Sequence, residues 1–139
     1  MKYSLNICTI LCFTILIFSC NEYKEILSEV EKIDISIYNI ENNKENYYIE
    51  IYDKNEITTI SKFISGISSP MYKCGYNGKI EFYCRNNNLL LETEFNTDCN
   101  TIVFEYNDKS YRRRITNNGL LYLNNVIANM KWWYLQKVF

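Results

Sequence analysis

Four glutamates on neighbouring candidate strands are the residues best suited to acid–base chemistry. Two carboxyl groups at a suitable separation are enough to hydrolyse a glycosidic bond. The alternation of apolar and polar residues predicts that these side chains point to solvent, where a charged sheet face also resists aggregation. A small carboxylate-dependent hydrolase is therefore one hypothesis, and a charged face without catalysis is the other. The four residues are Glu81, Glu92, Glu94 and Glu105.

The chain has no histidine, which removes most other catalytic chemistry. Ser-His-Asp and Cys-His catalysis, histidine metal sites and a proton shuttle near neutral pH all need that side chain. The sequence also lacks a P-loop, a dinucleotide-binding fingerprint and a nucleophile elbow. We therefore expect no cofactor, and we expect that the protein is not an enzyme.

Three of the six cysteines, Cys74, Cys84 and Cys99, fall in the second half of the chain. Cys74 and Cys99 lie in predicted loops just before strands, so we expect them to form a disulfide. Cys84 falls on the apolar face of a predicted strand and is expected to be a buried free thiol. A metal held by the three thiolates is the weaker alternative, because their spacing contains no Cys-x-x-Cys and no histidine can complete a site.

Residues 1–19 have the features of a secretory signal peptide. Lys2 gives a short positive start, an apolar run extends from Leu5 to Phe18, and the chain becomes polar from Asn21. A bilayer-spanning helix needs roughly 20 apolar residues. A cleaved signal is therefore favoured over a permanent transmembrane anchor.

The segment Ile17-Phe18-Ser19-Cys20 resembles the lipobox of bacterial lipoproteins. The resemblance implies cleavage between Ser19 and Cys20 and attachment of palmitate-like acyl chains to Cys20, so that a lipid membrane becomes the partner of the mature protein. Phe18 is bulkier than the usual occupant, and an ordinary cleaved signal or a short uncleaved anchor is the alternative. Asn21 is not the aspartate that commonly signals inner-membrane retention. The expected location is the cell envelope, on the outer membrane or the periplasmic face.

The mature chain would have about 120 residues, which fits one domain. Its 14 Lys and Arg residues against 16 Asp and Glu residues give a net charge of −2, because the signal peptide removes only Lys2. This balance offers no basic excess for nucleic acid. We expect a tether over residues 20–31 and a single domain over residues 32–139.

Apolar periodicity predicts two strands, a helix, four strands and a last helix, in the order ββαββββα. The connections between strands are of hairpin length, which favours antiparallel pairing. The fold class is therefore α+β, with an antiparallel sheet of about six strands and two helices packed on one face. The first helix follows Asp53 or Asn55 and ends near Gly66, and the second begins at Thr116 or Asn117. The predicted strands cover residues 33–37, 47–52, 80–84, 89–95, 101–106 and 110–115.

Two groups of side chains are candidates for recognition. Arg112 and Arg114 belong to the one basic run and share a strand face, with Arg113 on the other face. We expect Arg112 and Arg114 to pair with glutamates of neighbouring strands, and an anionic partner is the alternative. Trp132 and Trp133 could stack on a sugar, lie at a membrane interface or pack onto the sheet, and core packing is the expectation.

The second half of the mature chain resembles a pattern found in small uncharacterised bacterial lipoproteins. The resemblance implies a shared small domain in which Cys74 and Cys99 are matching positions, and it implies no activity. Cys84 departs from the pattern, which has a polar residue there. Two hypotheses follow, an envelope binding or interaction protein with a protein partner and a small hydrolase acting in the envelope. The resemblance rests on Cys74-Gly75-Tyr76-Asn77-Gly78-Lys79-Ile80-Glu81-Phe82-Tyr83, Glu94-Phe95-Asn96, Cys99, Tyr111 and Gly119-Leu120.

Overall fold

The computed structural model describes residues 22–38, 47–71 and 73–138, with side chains for residues 23–129 of those ranges. Within these ranges lie three α-helices, a short 3-10 helix and seven β-strands. In chain order these are α1 (Glu22–Leu27), β1 (Lys32–Ile37), β2 (Tyr47–Ile51), α2 (Lys54–Ile60), β3 (Ile64–Ser68), β4 (Gly78–Tyr83), the 3-10 helix (Arg85–Asn87), β5 (Leu89–Asn96), β6 (Thr101–Tyr106), β7 (Lys109–Ile115) and α3 (Asn117–Val138).

The seven strands form one sheet in the order β2-β1-β4-β5-β6-β7-β3. Every neighbouring pair is antiparallel. Strands β4 to β7 make a meander of successive hairpins, while β1 and β3 join its two ends through longer connections. The predicted α+β class with an antiparallel sheet is confirmed, with one strand more than expected.

The additional strand, β3, occupies residues where the apolar pattern predicts the end of a helix. Helix α2 ends at Ile60, well before Gly66. Ile64 then pairs with Ile115, and the Ser69 amide donates to the Arg112 carbonyl at 3.1 Å. The open edge of β7 supplies partners for backbone groups that a longer helix would have satisfied internally. The predicted helix over residues 61–66 is therefore wrong.

The apolar side chains of the sheet face the helices and form the core. The Tyr23 ring of α1 contacts Phe104 and Tyr111, at centroid distances of 5.0 and 5.8 Å. Tyr23 and Leu27 are both buried, although they lie in the segment assigned to the tether. We call this covered side the inner face of the sheet. Its fully buried members from the strands include Ile33, Ile35, Ile80, Phe82, Phe95, Ile102 and Ile115.

Short polar side chains begin the helices and close one hairpin, as the sequence predicts. The Asp53 carboxylate accepts hydrogen bonds from the amides of Asn55 and Glu56, at 3.0 and 2.9 Å, and caps α2. Asn107 and Asp108 join β6 to β7 with φ angles of 50° and 59°, the backbone of a type I′ turn. These residues tolerate the left-handed conformation because their side chains are short and polar.

Cys74 and Cys99 form the predicted disulfide, with a Cα–Cα distance of 6.6 Å. It connects the loop before β4 to the turn before β6. Cys84 is the free thiol expected among the described cysteines, but it is half-buried and lies beyond the end of β4. The β4–β5 register shifts between Phe82 and Tyr83, and this irregularity ends the apolar alternation before Cys84. The prediction that Cys84 is a buried core residue is therefore wrong.

Loss of the disulfide should destabilise the domain far more than loss of the free thiol. The bridge closes a segment with a sequence separation of 25, for which chain entropy gives about 3.5 kcal/mol of stabilisation. We expect Cys74→Ser combined with Cys99→Ser to lower the free energy of unfolding by about that amount in urea titrations. Cys84→Ser is the matched control and should change it little. Equal losses in both variants would contradict the assignment.

Candidate functional site on the outer sheet face

The register of the sheet aligns four carboxylates in one row across four strands. Glu50 of β2 lies opposite Asp34 of β1, Asp34 lies opposite Glu81 of β4, and Glu81 lies opposite Glu92 of β5. These positions alternate with the core residues, so the row belongs to the face turned away from the helices, which we call the outer face. Like charges directly opposite each other destabilise a sheet. The row therefore needs positive charge nearby.

Two lysines supply that charge, each between a pair of carboxylates. The Lys32 ammonium lies 2.9 Å from Asp34 and 3.8 Å from Glu50. The Lys79 ammonium lies 2.8 Å from Glu81 and 3.3 Å from Glu92. Hydrogen bonds to their carboxylates raise the pKa of both lysines. The four carboxylates and the two lysines thus form two ion-paired triads, each of one lysine and two carboxylates. Their combined net charge is −2.

Asp34 is buried although it sits on the outer face, with 2 % of its surface exposed. Its neighbour Ser36 is buried as well, so β1 is covered on both sides and is not the half-buried strand that alternation predicts. β1 lies inside the sheet, between β2 and β4, and the Lys32 ammonium contacts Asp34 on this face. The Tyr48 hydroxyl donates to Glu50 at 3.3 Å. The neighbouring Asp34 carboxylate, followed by burial and the charge of Glu50, raises the pKa of Tyr48.

Two further tyrosines border the carboxylate row. Burial, and then the negative charge of nearby carboxylates, raises the pKa of Tyr38 and of Tyr83. The Lys32 ammonium also lies 4.4 Å from the centre of the Tyr83 ring, a cation–π contact. The aromatic border therefore holds its hydroxyls in the neutral form and helps to fix the position of the lysine.

The four glutamates considered for hydrolysis share the outer face, as alternation predicts. Glu92 and Glu105 are exposed, and Glu81 and Glu94 are half-buried. A cleft of about 960 Å³ lies between α1 and α2, and none of these glutamates lines it. Two of them, Glu81 and Glu92, are ion-paired with the same lysine. The arrangement suits charge pairing on a surface better than general acid–base catalysis.

Arg112 and Arg114 lie on the same outer face as Glu50. They belong to β7, near the other edge of the sheet. Arg112 is in register with Val103, so no glutamate stands directly across from it. Within the described ranges neither side chain forms an ion pair, and the expectation that they pair with strand glutamates is wrong. Arg113 points to the inner face as predicted, and it donates to the Ser68 hydroxyl at 2.9 Å.

Other predicted site residues fall outside what the structure describes. Ser19 and Cys20 precede the described ranges. Trp132 and Trp133 lie in the helical backbone of α3, which extends to Val138, but their side chains are not among those described. Sequence reasoning missed Asp34, Tyr48 and the two lysines of the row. The period-two alternation of β1 and β4 placed Asp34 and Lys79 on the outer face, but only the strand order puts Asp34 opposite Glu81, the carboxylate with which Lys79 pairs.

Comparison with known proteins gives no match: no family model, no curated protein sequence and no solved structure is similar to this chain. The resemblance to small bacterial lipoproteins therefore stays a prediction. Among the residues that the structure describes, no helix is long and apolar enough to cross a bilayer. The same residues include no cluster of three or more side chains that could hold a metal ion.

Lys79→Met should destabilise the domain, because it leaves Glu81 and Glu92 facing each other without a counter-charge. We expect a loss of about 1 kcal/mol in the free energy of unfolding near neutral pH, the upper end for partly exposed ion pairs. Adding Glu81→Gln to the variant should recover part of the loss, and Lys73→Met, which changes an exposed lysine outside the row, should have little effect.

A comparison of the native protein with Lys79→Met also gives a prediction for the pH dependence of stability. The pKa of Lys79 is raised in the folded state from its ordinary value of 10.5. The stability that this ammonium contributes is therefore fully present below pH 10.5 and is lost as the pH rises through the folded-state pKa. The difference in urea midpoint between the native protein and Lys79→Met should narrow above pH 10.5. A difference that stays constant or grows there would contradict the role of the row.

Proposed function

We propose that this chain is a lipid-anchored protein of the bacterial cell envelope that binds a protein partner through the outer face of its sheet. The observation that carries the proposal is the pair Arg112 and Arg114, which remain without carboxylate partners on a face where the lysines are ion-paired. The lipobox resemblance at Ser19-Cys20 supports the anchor.

The two arginines offer a partner a defined chemistry. A guanidinium presents a planar set of donors that fits a carboxylate through two parallel hydrogen bonds. Arg114 is exposed and Arg112 is half-buried, so their donors are open to an approaching surface. The favoured partner is therefore a protein that presents aspartates or glutamates to these two side chains.

The anchor would strengthen such binding without adding any contact. A protein held on a membrane by several acyl chains searches a thin layer rather than a volume, and this raises its effective concentration for a partner in the same membrane. A small domain with modest affinity is sufficient under these conditions. Ion-paired triads on the rest of the face would then limit binding to surfaces of complementary charge.

The anchor is tested by mass spectrometry and by one substitution. We expect the mature protein to begin at Cys20 and to carry acyl chains, and we expect Cys20→Ser to lose membrane association in fractionated cells. Cys84→Ser, which changes a cysteine of the folded domain, should stay with the membrane. An unmodified mature protein that fractionates away from membranes would overturn this part of the proposal.

The binding face is tested by comparing crosslinked partners from intact envelopes. Arg112→Glu combined with Arg114→Glu should reduce a partner crosslinked by the native protein by about tenfold or more, as expected when charged contacts of an interface are reversed. Lys73→Glu combined with Lys109→Glu makes the same change in net charge at exposed positions outside the face and should preserve the crosslink. Equal recovery of the partner with both double variants would contradict the assignment of the face.

A further inference from the structure

The cleft between α1 and α2 is chemically different from the outer sheet face. Its volume is about 960 Å³, and it is lined by residues of both helices, by the segments beside them and by Arg85 of the 3-10 helix. Leu27 and Ile57 give it buried apolar walls, and Val30 is partly buried beside them. A ligand in this cleft would need an apolar part for the walls and a polar part for the rim.

The rim of the cleft is basic although the mature chain is acidic. Lys24, Lys54, Lys62 and Arg85 line it, against Glu29 and Glu31. Arg85 pairs with Glu31 at 3.3 Å, whereas the three lysines are exposed and form no ion pair within the described ranges. The rim therefore has a net charge of +2 and suits an anion.

Two hydroxyl groups of the lining residues lack hydrogen-bond partners. The Tyr23 and Ser61 side-chain oxygens are buried and make no hydrogen bond among the described residues. Both residues line the cleft, and Tyr23 is 3 % exposed. Neither oxygen is exposed to the open cleft, so these hydroxyls do not belong to its surface, and recognition of an anion falls to the lysines of the rim.

The proposed anchor would place the cleft close to the membrane, so that a membrane lipid becomes the available anionic ligand. Helix α1 begins at Glu22, two residues after Cys20. Two extended residues span at most about 7 Å, so acyl chains on Cys20 would hold α1 and its Lys24 at the membrane surface. Anionic lipids attract basic residues at such a surface, at about 1 kcal/mol for each lysine.

We propose that the cleft between α1 and α2 binds the phosphate headgroup of an anionic phospholipid in the membrane that carries the anchor. Lys24, Lys54 and Lys62 at the rim face the phosphate, and the apolar walls contact the glycerol and the start of the acyl chains. This inference rests on the proposed lipid anchor. It gives the anchored domain one fixed orientation, with its helices toward the lipid.

The test uses the lipidated, full-length mature protein reconstituted into vesicles. Amide hydrogen exchange is compared in vesicles of phosphatidylcholine alone and in vesicles that also contain phosphatidylglycerol. Exchange over residues 22–31 and 54–62 should slow by about fivefold or more in the anionic vesicles, which corresponds to about 1 kcal/mol. Lys54→Glu with Lys62→Glu should abolish the slowing, and Lys73→Glu with Lys109→Glu, matched in charge, should retain it.

Each alternative result has a distinct meaning. Equal exchange in the two vesicle types would overturn the lipid site, and so would loss of the slowing in both double variants, since general charge attraction would then explain it. Inorganic phosphate added to phosphatidylcholine vesicles should not reproduce the slowing; if it does, the cleft takes a soluble phosphate and the headgroup is excluded. Failure of the protein to stay on either vesicle, without acyl mass on Cys20, would instead refute the anchor.

Discussion

The cross-strand register of the sheet is the constraint from which both faces follow. Apolar residues on β1 and β4 must meet on the inner face, since a shift of one residue would turn them all to solvent. The pairing of Ile33 with Phe82 and of Ile35 with Ile80 fixes that register. The same pairing places Asp34 opposite Glu81, a repulsive contact that Lys32 and Lys79 then offset. The carboxylate row is thus a consequence of the core as much as a feature of the surface.

Local chemistry made several elements predictable, and tertiary context decided the others. Asp53 and Thr116 cap helices, and Asn107 lies in a turn. Each acts through backbone groups within a few residues, so these roles could be predicted from sequence. Residues 61–68 could not, because the three-residue spacing of Ile64 and Ile67 is typical of a helix face. In the strand these two side chains lie on opposite faces, with Ile64 buried and Ile67 exposed, and the open edge of β7 decides the outcome. The ion pairs of the row were hidden for a similar reason, since they depend on strand order. The disulfide was predictable from two loop positions.

Unpaired positive charge is the common property of the two surfaces assigned a role. Arg112 and Arg114 lie on the outer face, while Lys24, Lys54 and Lys62 border a cleft on the side of the helices. These five cations form no ion pair within the described ranges, although the chain has 16 acidic residues, four of which stand in the carboxylate row. Lipid contact on the helical side would leave the outer face directed away from the membrane. Anchoring and partner binding would then use opposite sides of one small domain.

The arrangement of strands also bears on how the chain folds. Strands β4 to β7 pair with their neighbours in sequence through short turns, and the left-handed conformations of Asn86 and Asn107 lie in two of these turns. Asp34 and Glu81, by contrast, pair across about 50 residues, as do Ile64 and Ile115, and such distant pairing is slow because a long loop must close first. We therefore expect the meander to form early and to recruit β1 and β3 afterwards. The segment nearest the anchor would be among the last parts of the domain to become ordered.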